Sequence, residues 1–290
     1  MRRPDGPVRI LRELLWVRKS SGVGAVIVLI VVLAAIFAPL IAPQGPAEQD
    51  LLNRYAPPSA ENWFGTDNFG RDVFSRVVYG ARISLAVGVV SVLIAIVVGG
   101  ILGLVGGFAG GMVDRVITFF VEMIMAFPLL LLAIAILAAL GPGLVNVMIA
   151  IGVSSVPLFA RVVRAETRAQ RENDYVVAAR ALGSSSARTA FAHIAPNVLA
   201  SVIILGSMRI ATAILAEAGL SFLGIGTRPP TPTWGLMVAE GRVFLGRAPW
   251  LALIPGAAVM ITVLAFNLVG DGLRDVLDVR IRGGGTKTKT

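Results

Sequence analysis

Few residues in this chain are equipped for chemistry, and their spacing argues against most of it. The 290 residues include one histidine, His193, and no cysteine. A lone imidazole without thiolates or nearby carboxylates builds no metal site, so His193 is expected in a structural or surface role rather than as a nickel ligand. Lack of cysteine also removes disulfides, thiolate metal ligands and cysteine nucleophiles. Gly99, Gly103, Gly107 and Gly111 recur every four residues. A phosphate-cradling loop would need a strand before such glycines and Gly-Lys-Ser/Thr after them, and neither is present. The repeat instead predicts a helix face on which a second backbone approaches closely. The chain therefore carries no recognisable ATP site, and no catalytic pair stands out.

Two ionisable residues do lie inside an apolar run, Arg209 and Glu217. Such groups face a cavity, a partner or an interface because exposure to lipid is costly. Eight residues apart, they are about 80° out of register on an ideal helix, which argues against a simple pair. Both are candidate pathway or subunit-seam residues, as are Ser154 and Ser155, whose hydroxyls are placed to meet backbone groups freed by Pro157. Pro128 and Pro157 are expected to kink their helices. Asp114 and Glu122, near an interface, are expected in structural pairings.

The elements that must position these residues are membrane spans. Hydrophobic residues make up 56% of the chain and charged ones only 15%, against about 25% charged in ordinary soluble domains. Mean hydropathy is +0.81. Too little polar surface exists to cover a water-facing globule, which sets aside a soluble enzyme. The expected fold class is an all-α membrane protein with six transmembrane helices at about 22–42, 84–108, 116–140, 144–163, 198–223 and 250–269. Residues 1–21 form an N-terminal segment with a short interfacial helix at 8–19, residues 22–282 the membrane domain, and 283–290 a disordered tail. The polar stretch 43–82 lies outside the hydrocarbon. Within it Val73, Phe74, Val77 and Val78 form an apolar stripe opposite Arg71, Asp72, Ser75 and Arg76, predicting a separate surface helix before a span that starts near Ser84.

A net charge of +9 would suggest nucleic acid in a soluble protein; here it follows topology. With six spans both termini share a side, and that side carries eighteen of the 26 Lys and Arg residues. The positive-inside rule makes the termini and the loop 164–196 cytoplasmic. The chain is expected to be a multi-pass protein among membrane lipid, with no nucleic-acid partner.

The loop reads NDYVVAARALGSSSARTAFAHIAPN from Asn173. A helix from Tyr175 to Leu182 meets Gly183, suited to the left-handed conformation that closes a helix. Ser184 to Ser186 cap a second helix, and Pro196 disfavours an α conformation at Ala195, so that helix is expected to end there. Alanines 178, 179 and 181 make the first helix a slim rod able to enter a groove on another protein. Composition alone allows the plainer alternative of a solvated loop.

Ala178, Ala179, Gly183, Ile194 and Pro196 resemble the cytoplasmic signature of permease subunits of binding-protein-dependent ABC importers. The pattern departs at its acidic first position, Val177 here, and at its leucine before the proline, Ala195 here. Segments 37–43, 63–88, 217–242 and 249–280 resemble the dipeptide, oligopeptide and nickel permease group, in its second and shorter subunit type. The resemblance covers about residues 8–282. It implies a type I importer fold in a bacterial inner membrane. Its partners would be a homologous second permease, two ATPase subunits holding ATP and magnesium, and an extracytoplasmic substrate-binding protein. It implies an ATPase-coupling role for Tyr175, Ala178, Ala179, Arg180, Leu182, Gly183 and Pro196, with no cofactor on this chain. Peptide is the expected cargo, nickel or another small solute the alternative within the group. A secondary transporter or channel is the alternative outside it, but the internal repeat and midplane ion cluster it calls for are missing from the sequence.

Overall fold

A computed structural model describes the backbone of residues 19–283 and the side chains of residues 20–276. The expected interfacial helix up to Arg18 and the tail beyond Gly283 lie outside the described residues. Nine helices of eight or more residues order the described chain: α1 (Lys19–Ile36), α2 (Val73–Ala109), α3 (Gly111–Met125), α4 (Leu129–Leu140), α5 (Leu144–Arg171), α6 (Asp174–Ala181), α7 (Ala195–Phe222), α8 (Trp234–Gly241) and α9 (Trp250–Gly283). There is no strand among them, only an isolated bridge between Thr66 and Asp72. Helices α2, α5, α7 with its lead-in, and α9 are each long and apolar enough to cross a bilayer, and the bent pair α3–α4 makes a fifth crossing if it counts as one span. Helix α1, continued by the turn Ala38–Ile41, reaches roughly 30 Å and is the sixth apolar segment.

Helix α2 departs from the expected surface helix plus separate span. Its 37 residues form one rod, started by Asp72, whose carboxylate accepts from the Ser75 amide at 2.7 Å. At 1.5 Å per residue it is about 55 Å long, so its first turns stand above the hydrocarbon. The polar stripe there is not solvated. Arg71, Asp72, Ser75 and Arg76 are all buried, because the loops before α2 and after α8 close over them. Asp67 takes Arg71 Nε at 2.6 Å and lies 3.6 Å from Arg76 Nε, and Glu240 on α8 lies 3.2 Å from Arg76 Nη2. Arg76 also donates to the Pro46 carbonyl at 3.2 Å. The Trp234 indole donates to the Val77 carbonyl at 2.9 Å, and its amide to Ser84 Oγ at 3.2 Å. The stripe thus faces a built partner, which periodicity cannot distinguish from water.

The glycine repeat does what its spacing predicts, for three of its four members. A Cβ on Gly99 would stand 2.5 Å from the Val156 carbonyl oxygen, one on Gly103 2.5 Å from that of Ala160, and one on Gly107 2.7 Å from that of Arg164. The receiving carbonyls on α5 are also four residues apart, so two backbones touch along more than two turns. Gly111 takes no part: a Cβ there meets nothing within 4 Å. With φ of +68° and +58°, Gly110 and Gly111 turn the chain from α2 into α3. The core between α2, α5 and α7 is filled by Val92, Ala95, Ile151, Phe159, Val163 and Val198.

Three other expectations change. The stretch 116–140 is not one kinked helix but two: α3 and α4 meet at 92°, with Pro128 at the N-cap of α4. Proline denies Phe127 a helical conformation, so the helix stops rather than bends. At Pro157 the reverse holds, and α5 runs through it unbroken. Ser154 and Ser155 donate to the carbonyls of Ala150 (2.7 Å) and Ile151 (2.8 Å), whereas the carbonyl freed by Pro157 is that of Val153. Their hydroxyls therefore do not meet the freed group. Nor does the second loop helix end at Ala195. Residues 186–222 form one rod, passing through a wide π turn, Thr189–Ile194, in which the Ala195 amide reaches back to Ala190. The wide turn admits Pro196 at the start of α7, where a missing N–H costs little.

Helix α2 supplies a paired test of close packing. Gly103→Ala is expected to destabilise the purified protein by about 1–3 kcal/mol through overpacking. Gly100→Ala, three residues away in open space, is expected to be neutral or stabilising by roughly 0.5–1 kcal/mol. Melting temperatures in one detergent compare the two.

Candidate functional site

Helix α6 is short and held from three directions. Its last turn closes as a Schellman motif: Gly183, with φ +86°, donates to the Arg180 carbonyl at 2.9 Å and Ser184 to that of Ala179 at 3.0 Å. Glycine is required there because a side chain is strained at positive φ. Ser185 then caps the next helix through the Arg188 amide at 3.4 Å. Val176 is the one fully buried residue of α6. Tyr175 Oη donates to Gln170 Oε1 at the end of α5 (2.8 Å) and accepts from Asn197 Nδ2 at the start of α7 (3.2 Å). The Arg180 guanidinium lies 4.9 Å above the Phe108 ring at the end of α2. Asn197 also donates to the His193 carbonyl at 2.7 Å; the imidazole of His193 is half-buried.

The opposite face of α6 is open. Val177 is 57% and Leu182 89% exposed, with Ala178 exposed between them and Ala179 half-buried at the inner edge. Of the residues singled out by sequence, Tyr175, Arg180 and Gly183 hold the helix, whereas Ala178 and Leu182 present its surface. Pro196, exposed, sits at the start of α7 as part of the π-turn junction.

Asp114 makes the structural pairing expected of it, in a clamp beside this site. Asp114 on α3 is buried and takes Arg164 of α5 in a bidentate pair, through Nη2 at 2.7 Å and through Nε, with Arg168 at 3.7 Å. Arg171 Nη1 donates to the Phe108 carbonyl at 3.0 Å. The i, i+4, i+7 spacing of Arg164, Arg168 and Arg171 was the available signal, but it does not say which carboxylate it meets.

Arg209 and Glu217 are not brought together. Glu217 is fully buried, its Oε1 accepting from Ser221 Oγ at 2.7 Å and Thr233 Oγ1 at 2.8 Å. Both hydroxyls in turn accept backbone amides, Ser221 from Thr227 and Thr233 from Leu236. Glu217 thereby ties the C-terminal end of α7 to the first turn of α8. Serine four residues after Glu217 was a visible hint; Thr233, sixteen residues on, was not. Arg209 is half-buried. Ser155 is buried and Ser154 half-buried, each engaged with its own helix as described above. Among the described residues no group of three His, Cys, Asp or Glu side chains is placed to hold a metal ion.

Long apolar rods, a right-angled break and a braced helix at one end define a helical membrane protein. The family described as binding-protein-dependent transport system inner membrane component matches residues 95–283, and the N-terminal TM domain of oligopeptide transport permease C matches residues 15–58. The chain belongs to this family of inner-membrane permeases. It is 47% identical over 264 residues to the dipeptide transport system permease protein DppC of Alkalihalophilus pseudofirmus, covering 91% of this chain and 87% of that protein. It is 45% identical over 262 residues to the glutathione transport system permease protein GsiD of Escherichia coli, covering 89% and 86%. Among solved structures, the MetNI methionine ABC transporter in inward-facing form matches with a TM-score of 0.56 at 18% identity, over 69% of this chain and 96% of that one. An amino acid ABC transporter matches with 0.53 at 18%, over 68% and 92%. At that identity the likeness is one of fold, the helical permease fold of ABC importers.

The Glu217 tie yields a stability test. Glu217→Ala leaves two buried hydroxyls without their acceptor and is expected to cost about 1–3 kcal/mol, while Glu217→Gln keeps an oxygen acceptor and stays within about 1 kcal/mol of the parent. Thermal unfolding in detergent reads both.

Proposed function

We propose that this chain is one half of the translocation pathway of an ATP-driven importer for di- and oligopeptides, and that α6 is its coupling helix. The observation that carries the coupling role is the bracing of α6: Tyr175 to α5 and α7, Arg180 to α2, with an open apolar face of Val177, Ala178 and Leu182. A push on that face cannot be absorbed by a flexing loop and passes into three membrane helices together. The peptide assignment is supported by the dipeptide and glutathione permeases, which are 47% and 45% identical to it over most of their length.

In this reading a second homologous permease completes the pathway, and two ATPase subunits, which hold ATP and magnesium, grip α6 from the cytoplasm. Both termini are cytoplasmic. Closure of the ATPase pair moves α6, and α2, α5 and α7 tilt between inward-open and outward-open arrangements. The knot of Asp67, Arg71, Arg76 and Glu240 makes the outer loops one rigid cap, suited to receive the loaded binding protein.

Ala178→Trp places bulk on the open face without touching the bracing contacts. Uptake by the complete complex in liposomes is expected to fall at least about tenfold, while insertion and pairing with the second permease persist. Ala179→Trp, at the half-buried edge, is expected to lose uptake as well. Parental uptake in both variants would remove α6 from the coupling path. The chain purified alone is expected to hydrolyse no ATP, hydrolysis appearing only with both ATPase subunits present.

A further inference from the structure

Arg209 stands near the middle of α7, which runs from Ala195 to Phe222, so each end of the helix is about 20 Å away. From there a side chain reaching about one helical turn cannot snorkel to either interface. It is half-buried, and among the described residues it forms no hydrogen bond or ion pair and has no charged group acting on it. The nearest acidic residue on its own helix, Glu217, is turned into the contact with Ser221 and Thr233. A guanidinium at that depth without a counter-ion persists only where water or an anion reaches it. One turn further out on the same side of α7 lies Thr212, half-buried, with a hydroxyl available as a further donor.

A seam with the second permease would need a permanent carboxylate from that subunit. A pathway that fills with water whenever it is empty needs none, and it leaves the guanidinium free for a passing ligand. The group common to every unblocked peptide, whatever its side chains, is the terminal carboxylate, and a guanidinium binds a carboxylate through two parallel hydrogen bonds. The same positive charge repels a bare divalent cation, which separates peptide cargo from metal cargo.

We propose that Arg209 is the carboxylate-binding residue of the translocation pathway, receiving the C-terminal carboxylate of the peptide in transit. The proposal rests on the peptide-importer reading above. It also accounts for an arginine in a stretch otherwise free of lysine and arginine between Arg188 and Arg228.

The chain has no cysteine, so Arg209→Cys provides a single addressable thiol in it. In the complete complex in liposomes, with the parent complex treated alike, this variant is expected to lose about ten- to a hundredfold of dipeptide uptake. It should still co-purify with the second permease. Water-borne 2-aminoethyl methanethiosulfonate is expected to label it and restore a measurable part of the uptake, whereas the neutral methyl reagent labels it without restoring any. A purely structural role would not distinguish the two adducts by charge. Unchanged uptake, a thiol the reagent cannot reach, equal rescue by the neutral adduct, or loss of the permease pair would each overturn the proposal, the last assigning Arg209 to the seam. If the parent complex itself imports no dipeptide, the peptide reading fails first, and this proposal falls with it.

Discussion

The contact on which the rest of the molecule is built is that of α2 with α5, where Gly99, Gly103 and Gly107 lie against the carbonyls of Val156, Ala160 and Arg164. Within lipid there is no hydrophobic gain in joining one apolar helix to another, so close backbone packing must supply the attraction. Three missing side chains at four-residue intervals provide it. The contact also sets the end of the bundle from which α6 is built. Its last member, Gly107, lies beside Arg164 and Thr167, and from that turn of α5 Arg164 clamps Asp114 while Arg171 reaches the Phe108 carbonyl. Phe108 in turn receives Arg180 of α6. The helix proposed to take up force is therefore referenced to the stiffest pair in the bundle.

The two ends of α2 are treated differently. At the end near α6 it stops at paired glycines, and its neighbours are joined to α6 by a few polar contacts and one ring. At the opposite end it runs past the hydrocarbon into a buried ionic knot, closed by Trp234 and by Glu240. Removing one member of a buried ion cluster leaves the others uncompensated, so such a knot fixes a single geometry more than it adds stability. Glu217 strengthens the same end by tying α7 to α8. A rigid cap at one end and a braced but accessible helix at the other suit the proposed rocking of the subunit as a body.

Several misreadings share one cause. The polar stripe Arg71, Asp72, Ser75 and Arg76 has the period of a water-facing surface and is buried all the same, because its partners Asp67 and Glu240 come from a loop and from a helix 164 residues beyond Arg76. Ser154 and Ser155 lie next to Pro157, but local geometry turns them one turn back, away from the freed carbonyl. Pro196 signals a helix end by the rule for its predecessor, yet one wide turn before it keeps the rod continuous. Pro128 signals a kink and produces a right angle. Local rules state what a residue disfavours; its neighbours in space select among the remaining outcomes.

What the sequence determined by itself was everything set by composition and local period. The apolar runs demanded helices in a membrane, the four-residue glycine spacing demanded a close helix pair, and Gly183 demanded a left-handed close to α6, because each depends on a short stretch of chain. Tertiary structure alone decided which carboxylate Arg164 meets, that Glu217 answers Thr233 rather than Arg209, and that Arg209 has no answering group within the described chain. Those are pairings between distant segments, and pairings of that kind are fixed by how the helices stack, not by any spacing along one of them.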